Sequence, residues 1–204
     1  MNSNQFSGFV LAGGKSSRMK TDKAFLRIGG EMFLERAAAA LAPNCVEVKI
    51  VINETQAEKF RLSFPSFDFV FDVFPARGAL GGIHSALKNS NTGWAIILAC
   101  DLPLVTTDAI EKLMQIALNS PEDIFAVVPK QPGGRVQPLC AVYRAKDCLP
   151  KIEDLLEKED SASVRSFLEL APVRYVEISE LNNNNQEDLF FNVNHPADFQ
   201  KMNE

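Results

Sequence analysis

Apolar residues in this chain fall into short continuous runs, broken by glycine-rich or polar stretches and interleaved with segments of helical spacing. Phe9 to Ala12 is the first run and predicts a buried strand. It stops at Gly13-Gly14, where backbone angles forbidden to other residues are open. Ala24 to Ile28 is a short apolar stretch ending at Gly29-Gly30, and the alanine-rich Met32 to Leu41, stopped by Pro43, predicts a helix. Glu47 to Ile52 and Asp68 to Phe71 predict strands on either side of a short helix from Ala57 to Phe64. Gly78 to Leu87 reads as a glycine-rich turn feeding a helix. Trp94 to Cys100 is apolar throughout, as in a parallel strand covered on both faces. Asp108 to Leu118 predicts a helix with an acidic start, and Ile124 to Val128 a strand. Beyond the polar turn Gln131 to Pro138 come a strand from Leu139 to Tyr143, helices from Leu149 to Glu157 and Val164 to Leu170, and a strand from Val173 to Ile178. Asn182 to Asn185 reads as an exposed loop, and a last helix starts near Pro196. Strand and helix alternate at the spacing of an α/β fold: an open, mostly parallel sheet with crossover helices, three layers α/β/α. No repeat or long linker divides the chain, so one domain over residues 1–204 is expected, with halves of about 6–130 and 131–204.

Composition narrows the class. Hydrophobic residues make up 46%, enough for a sizeable core. A net charge of -5 argues against a general nucleic-acid binder. There is neither a signal-peptide pattern nor an apolar run of about 18 residues, so no membrane association and a cytoplasmic location are expected. Cys45, Cys100, Cys140 and Cys148 lack C-x-x-C spacing and read as reduced core residues. His84 reads as a surface or packing residue and His195 as a helix cap; neither has a Ser or Cys partner for triad chemistry.

Charge is unevenly distributed. Between Gly13 and Arg27 stand Lys15, Arg18, Lys20, Lys23 and Arg27 against one acid, Asp22. A strand, a glycine turn and a basic segment suit a small, highly charged anion such as a nucleoside triphosphate; the plainer reading is a solvated basic loop. The P-loop pattern fails, because Phe9 stands where its first glycine would be, and the dinucleotide fingerprint fails because no glycine follows Gly14 before Gly29. Ligands of open α/β sheets bind beyond the carboxyl ends of the strands. Gly13-Gly14, Asn53, Asp72 and Asp101 all stand at such ends. Asp101, directly after an apolar strand, is the leading candidate for a magnesium ligand, since magnesium is usually held by one or two carboxylates plus substrate phosphates. Its other reading is a cap for the turn at Leu102-Pro103 or a solvated strand end. Asp72 is either a ligand-binding group or a turn residue.

Leu11-Ala-Gly-Gly-Lys-Ser-Ser-Arg-Met-Lys-Thr-Asp-Lys23 resembles the L-A-G-G-x-S-x-R-M-G-x-D-K signature of molybdenum cofactor guanylyltransferases. Gly78-Ala-Leu-Gly-Gly-Ile83, Cys100-Asp-Leu-Pro103, Gln137-Pro-Leu-Cys-Ala-Val-Tyr143 and Phe190-Phe-Asn-Val-Asn-His-Pro196 are similar to four further motifs of that family, in the same order. The resemblance implies a Rossmann-like nucleotidyltransferase fold. It also implies a reaction in which GTP and molybdenum-molybdopterin give the guanine dinucleotide and pyrophosphate, with Mg2+ as cofactor.

Carried over by motif, Leu11, Ala12, Gly13, Gly14, Lys23, Asn53, Asp72, Gly78, Gly82 and Asp101 would bind nucleotide, and Asp101 would hold the metal. Arg18, Lys23, Asp101 and Asn194 would serve catalysis. Gln137, Pro138, Asn192 and Asn194 would lie on the pterin side. A monomer is implied, with transient contacts to cofactor-biosynthesis proteins and recipient apoenzymes. Four positions depart from the family pattern: Lys20 for glycine, Ala79 for proline, Gly81 for alanine and His195 for threonine. The two in the second glycine motif are expected to loosen its turn. The rivals are a cytidylyltransferase or another nucleotidyltransferase of the same fold, and a non-catalytic nucleotide- or cofactor-binding chaperone.

Overall fold

The computed structural model describes residues 5–13, 22–181, 188–193 and 198–199. Strand β1 runs Phe6–Leu11, starting before the apolar run because Ser7 and Gly8 are drawn into the sheet. Ser7 Oγ donates to Glu47 Oε1 at 2.9 Å, and a Cβ on Gly8 would lie 3.0 Å from Cys45 Sγ. A two-stranded hairpin that the apolar pattern did not reveal follows, β2 Arg27–Ile28 and β3 Glu31–Met32. Its turn takes φ of 59° at Gly29 and 87° at Gly30, a region that favours glycine. Next come α1 Phe33–Leu41, β4 Glu47–Ile52, α2 Ala57–Ser63, β5 Asp68–Phe71, α3 Gly78–Lys88 and β6 Trp94–Ala99. The chain continues through α4 Thr107–Leu118, β7 Ala126–Lys130, β8 Cys140–Arg144, α5 Ala145–Lys158, α6 Val164–Leu170, β9 Val173–Glu177 and α7 Ile178–Leu181.

The seven-stranded sheet has the order β5-β4-β1-β6-β8-β7-β9. Strands β5, β4, β1 and β6 pair in parallel, and so do β7 and β9. Strand β8 is antiparallel to both its neighbours, β6 and β7. The connection from β7 to β8 is too short for a crossover, which parallel pairing would require. Gly133 and Gly134, with φ of 84° and 85°, make its turn. The sheet thus interleaves strands from both sides of residue 130. Reversal also brings the start of β8, not its end, to the carboxyl edge of β6.

Alternate residues feed two cores. Val10, Ile50, Ile96, Leu98 and Val142 pack with Leu34 and Leu41 of α1 and Leu113 and Met114 of α4. Phe9, Val51, Ile97 and Tyr143 pack on the opposite face with Ile83 and Leu87 of α3 and Ile152 and Leu155 of α5. Each such side chain contributes about 1.5–3 kcal/mol. A register slip by one residue would exchange the faces, so the pattern specifies the pairing. Burial also sets the limits of α5. The sequence places its start at Leu149, beside Pro150, but the helix reaches back to Ala145 with Pro150 inside it. A proline in a helix interior costs about 3 kcal/mol. Cys148, Ile152, Leu155 and Leu156 are all buried on this helix, and together they outweigh that cost.

The glycine motif at 78–83 corrects an expectation. Gly78, with φ of 57°, makes the expected turn, but the residues after it are already helix α3, and Gly81 does not loosen the motif. A Cβ at Gly81 would press into the Phe74 carbonyl and lie 3.0 Å from Asp72 Oδ1. Glycine there lets the helix meet the end of β5 closely. Ala79 stands in the first helical turn, where alanine is a good helix former. At Gly82 a Cβ would meet the two methyl groups of Leu11, at 3.5 and 3.6 Å, in ordinary contact. Chemical denaturation should therefore separate the two glycines. Gly81→Ala should lose about 1–3 kcal/mol, the scale of overpacking. Gly82→Ala should be neutral or gain up to about 1 kcal/mol from helix propensity.

Candidate active site

Beyond the carboxyl ends of β1, β4, β5 and β6 lies a cavity of about 1100 Å³. Leu11, Ala12, Gly13, Lys23, Asn53, Asp72, Gly78, Gly82 and Asp101 all line it. The walls close tightly where β1 meets β4. A Cβ on Gly13 would lie 3.0 Å from the Asn53 nitrogen and 3.1 Å from the Ile52 carbonyl carbon, both backbone atoms. The Ala12 N–H donates to Val51 O at 2.9 Å, and Leu11 O accepts from Cys100 N at 3.1 Å. The amide of Ala12 is therefore spent on the sheet, and these two residues give the cavity mainly a wall.

The charged centre is a pair. Lys23 Nζ lies 2.8 Å from Asp101 Oδ2, with side-chain exposures of 16% and 19%. The second carboxylate oxygen, Asp101 Oδ1, is buried without a hydrogen-bond partner among the described residues. The Asp101 carbonyl accepts from Val193 N at 3.1 Å, which docks the 190–193 segment on the end of β6. Asn192 thus comes beside Asp101 along the backbone, and its Oδ1 is also buried without a partner among the described residues.

Asp72 is 8% exposed. Burial pushes its carboxyl above the usual carboxylate range, opposed by hydrogen bonds from the Phe74 N–H and the Ser85 hydroxyl. Asn53 Nδ2 donates to Gly13 O at 3.4 Å, while Asn53 Oδ1 is buried with no partner among the described residues. A buried polar atom left unpaired costs about 1–3 kcal/mol, so these oxygens favour a ligand that can satisfy them.

Gln137 and Pro138 do not line the cavity; Leu139, at the start of β8, does. Gln137 is 6% exposed, with a buried Nε2 that has no partner among the described residues. Pro138 O accepts from Tyr143 Oη at 2.7 Å. Gly14, Arg18 and Asn194, and the departures Lys20 and His195, lie outside the described residues. Asp22, Glu54 and Thr55 also line the cavity and were missed from the sequence. Asp22 carried a signal, as the lone acid in a basic stretch.

Other expectations resolve away from the site. His84 is 1% exposed, packs edge-on against Phe74 with ring centres 4.9 Å apart, and reaches Glu153 Oε1 at 3.2 Å. It is a packing residue. The four cysteines are free thiols. Burial pushes Cys45, Cys140 and Cys148 up to about 12 and raises Cys100 as well, so all stay protonated at neutral pH. No helix among the described residues is long and apolar enough to cross a membrane.

Sheet, reversed strand and cavity define an α/β protein with a cavity lined by charged side chains at the carboxyl edge of its strands. Residues 8–177 match the MobA-like NTP transferase domain. A probable molybdenum cofactor guanylyltransferase of Clostridium perfringens is 38% identical over 75% of this chain and 70% of its own. One from Geobacillus sp. strain WCH70 is 31% identical over 96% of this chain and 97% of its own. The crystal structure of molybdopterin-guanine dinucleotide biosynthesis protein A from Archaeoglobus fulgidus superposes with a TM-score of 0.82 at 26% identity, covering 97% of this chain and 96% of that one. The chain belongs to the MobA-like NTP transferase family.

Asp72 offers a test of whether the site is held at a cost to stability. A carboxyl whose pKa rises on folding lends relative stability below its unfolded value and loses it as pH climbs through the folded value. Asp72→Asn keeps an oxygen for the Phe74 N–H and removes the buried charge. Thermal melts across pH should show D72N above the wild type at neutral pH, with the gap closing as the medium becomes acidic.

Proposed function

We propose that this protein transfers GMP from GTP to the terminal phosphate of molybdenum-molybdopterin, releasing pyrophosphate. Family membership supports the class of reaction, and the relatives' printed names support the substrates. The observation that carries the reading is the Lys23–Asp101 pair, with Asp101 Oδ1 buried and without a hydrogen-bond partner among the described residues, in a cavity large enough for a nucleotide. An oxygen of the pterin phosphate attacks the α-phosphorus of GTP. One P–O bond forms, the bond to the bridging oxygen breaks, and that oxygen leaves with pyrophosphate. The nucleophile is already an anion, so no side-chain nucleophile is required. The protein's task is positioning and charge stabilisation.

Lys23 supplies positive charge to the phosphates. Asn53 and Asp72 present oxygen acceptors to the ring N–H and amino group of guanine. Leu11, Ala12, Gly13, Gly78 and Gly82 shape the wall against which the nucleotide lies. Asn192, with Gln137 and Pro138 behind the rim, faces the pterin. Roles for Gly14, Arg18 and Asn194 rest on the motif likeness alone. Asp101 fits a Mg2+ ion: it offers one buried carboxylate oxygen, and substrate phosphates usually complete such a site. When bound, the ion neutralises phosphate charge. The same reading carries a cytoplasmic, monomeric enzyme that meets cofactor-biosynthesis proteins and recipient apoenzymes only transiently.

Nucleotide-dependent melting tests this. With magnesium, GTP at 100 times its dissociation constant should stabilise the fold by about 2.7 kcal/mol. ATP, CTP and UTP at that concentration should stabilise it less. A preference for CTP would replace the guanylyl assignment with a cytidylyl one, and indifference to every nucleotide would refute the enzyme reading. Asp101→Asn should remain folded and lose about 10²–10³-fold in pyrophosphate release, the scale of one lost charge-stabilising contact.

A further inference from the structure

We infer that Gln56, which does not touch the cavity, is a positioning residue that sets the two flanks of the nucleotide site in register. The inference rests on the GTP reading above. Gln56 sits half-buried at the end of the short 3-10 turn Glu54–Gln56, before α2. Its Oε1 accepts the Asn53 N–H at 3.1 Å. On its own that bond is an ordinary helix-start contact, in which a glutamine three residues on reaches back to the capping residue. Such a contact leaves the side-chain amide nitrogen spare. Here that nitrogen donates to Asp22 Oδ2 at 3.0 Å, 34 residues away in the chain.

Both partners of Gln56 line the cavity. Asn53 holds the start of the basic segment through Gly13 O, and Asp22 stands within it. Asp22 immediately precedes Lys23, the partner of Asp101. One neutral amide thus ties the β4 end, which carries Asn53, to the backbone that presents Lys23.

The surroundings hold Asp22 in place for this. Lys59 Nζ lies 3.8 Å from the same Asp22 oxygen and 3.9 Å above the Phe25 ring. Phe25 packs against Phe60 and Phe64, each with ring centres 5.2 Å apart. Lys59 is largely exposed, with its side chain 56% accessible, so its ion pair contributes little. The Gln56 bond, of ordinary length at 3.0 Å and half-buried, is the stronger constraint. A catalytic geometry loosened by even an ångström loses much of its effect, so a link of this kind acts on binding without touching ligand.

Calorimetric titration of the full chain with GTP and magnesium, below the melting range of every variant, tests it. Q56M keeps the side-chain length and removes both hydrogen bonds; GTP should bind about tenfold more weakly, the scale of one to two lost hydrogen bonds. Q56E keeps the acceptor for Asn53 but sets a carboxylate against Asp22, and should weaken GTP at least as much. D22N/Q56E restores an amide–carboxylate pair with donor and acceptor exchanged, and should recover affinity to within about threefold of the wild type.

Unchanged affinity in Q56M would overturn the inference, as would a double variant no better than Q56E. So would a loss no larger than the fraction of protein unfolded at the titration temperature. Should Q56E fail to fold, Q56M alone decides. A wild-type chain that binds no GTP would instead refute the nucleotide reading on which the inference stands.

Discussion

Asp101 and Lys23 meet at the carboxyl edge of the sheet, each too shielded from water to be left alone. A charge in such a place is costly unless paired, and breaking a pair leaves the other charge stranded. This one constraint explains much of the surrounding architecture. The chain must bring residue 23, past the end of β1, back over the end of β6. It does so through a short 3-10 turn whose Phe25 is anchored on α2 and whose first cap is Asp22. The pair then stands in the cavity with its charges already oriented, the preorganisation that the proposed reaction calls for.

Close backbone approaches build the rest of the wall. At Gly13 the end of β1 touches the backbone of β4, and at Gly81 helix α3 touches the backbone after β5. A side chain at Gly13 would press backbone atoms closer than ordinary contact, and one at Gly81 would force backbone apart. The second also decides the environment of Asp72. With α3 so near, the Asp72 carboxylate is shut from water and answered by the Phe74 amide and the Ser85 hydroxyl. An acid kept in a place that disfavours its charge is typical of groups retained for a ligand rather than for stability.

Reversal of β8 supplies the other side. Had β8 been parallel, the Gln137-Pro138-Leu139 segment would lie at the far edge of the sheet. Running antiparallel, it starts beside the end of β6, and Leu139 joins the cavity while Gln137 stays just behind it. The 190–193 segment completes this side, held by the bond from Val193 N to the Asp101 carbonyl and by the buried Phe190 and Val193.

Local chemistry determined a good deal of this. The strands Glu47–Ile52 and Asp68–Phe71 and the helix Val164–Leu170 were legible to the residue, because apolar periodicity and breakers decide such elements almost unaided. The gathering of Gly13, Asn53, Asp72 and Asp101 at one edge was legible too, since parallel strands end on the same side. Where burial competed with local preference, the sequence misled. The core carried the helix expected from Leu149 back to Ala145, and the glycines at 78–82 read as a turn although Gly78 makes the turn while Gly81 makes room for the Phe74 backbone. The pairing of β8 with β6, the Lys23–Asp101 pair and the Gln56 bridge to Asp22 belong to the tertiary structure alone. Each joins residues far apart in the chain, and no property of either residue names its partner; only the assembled sheet brings them within bonding distance.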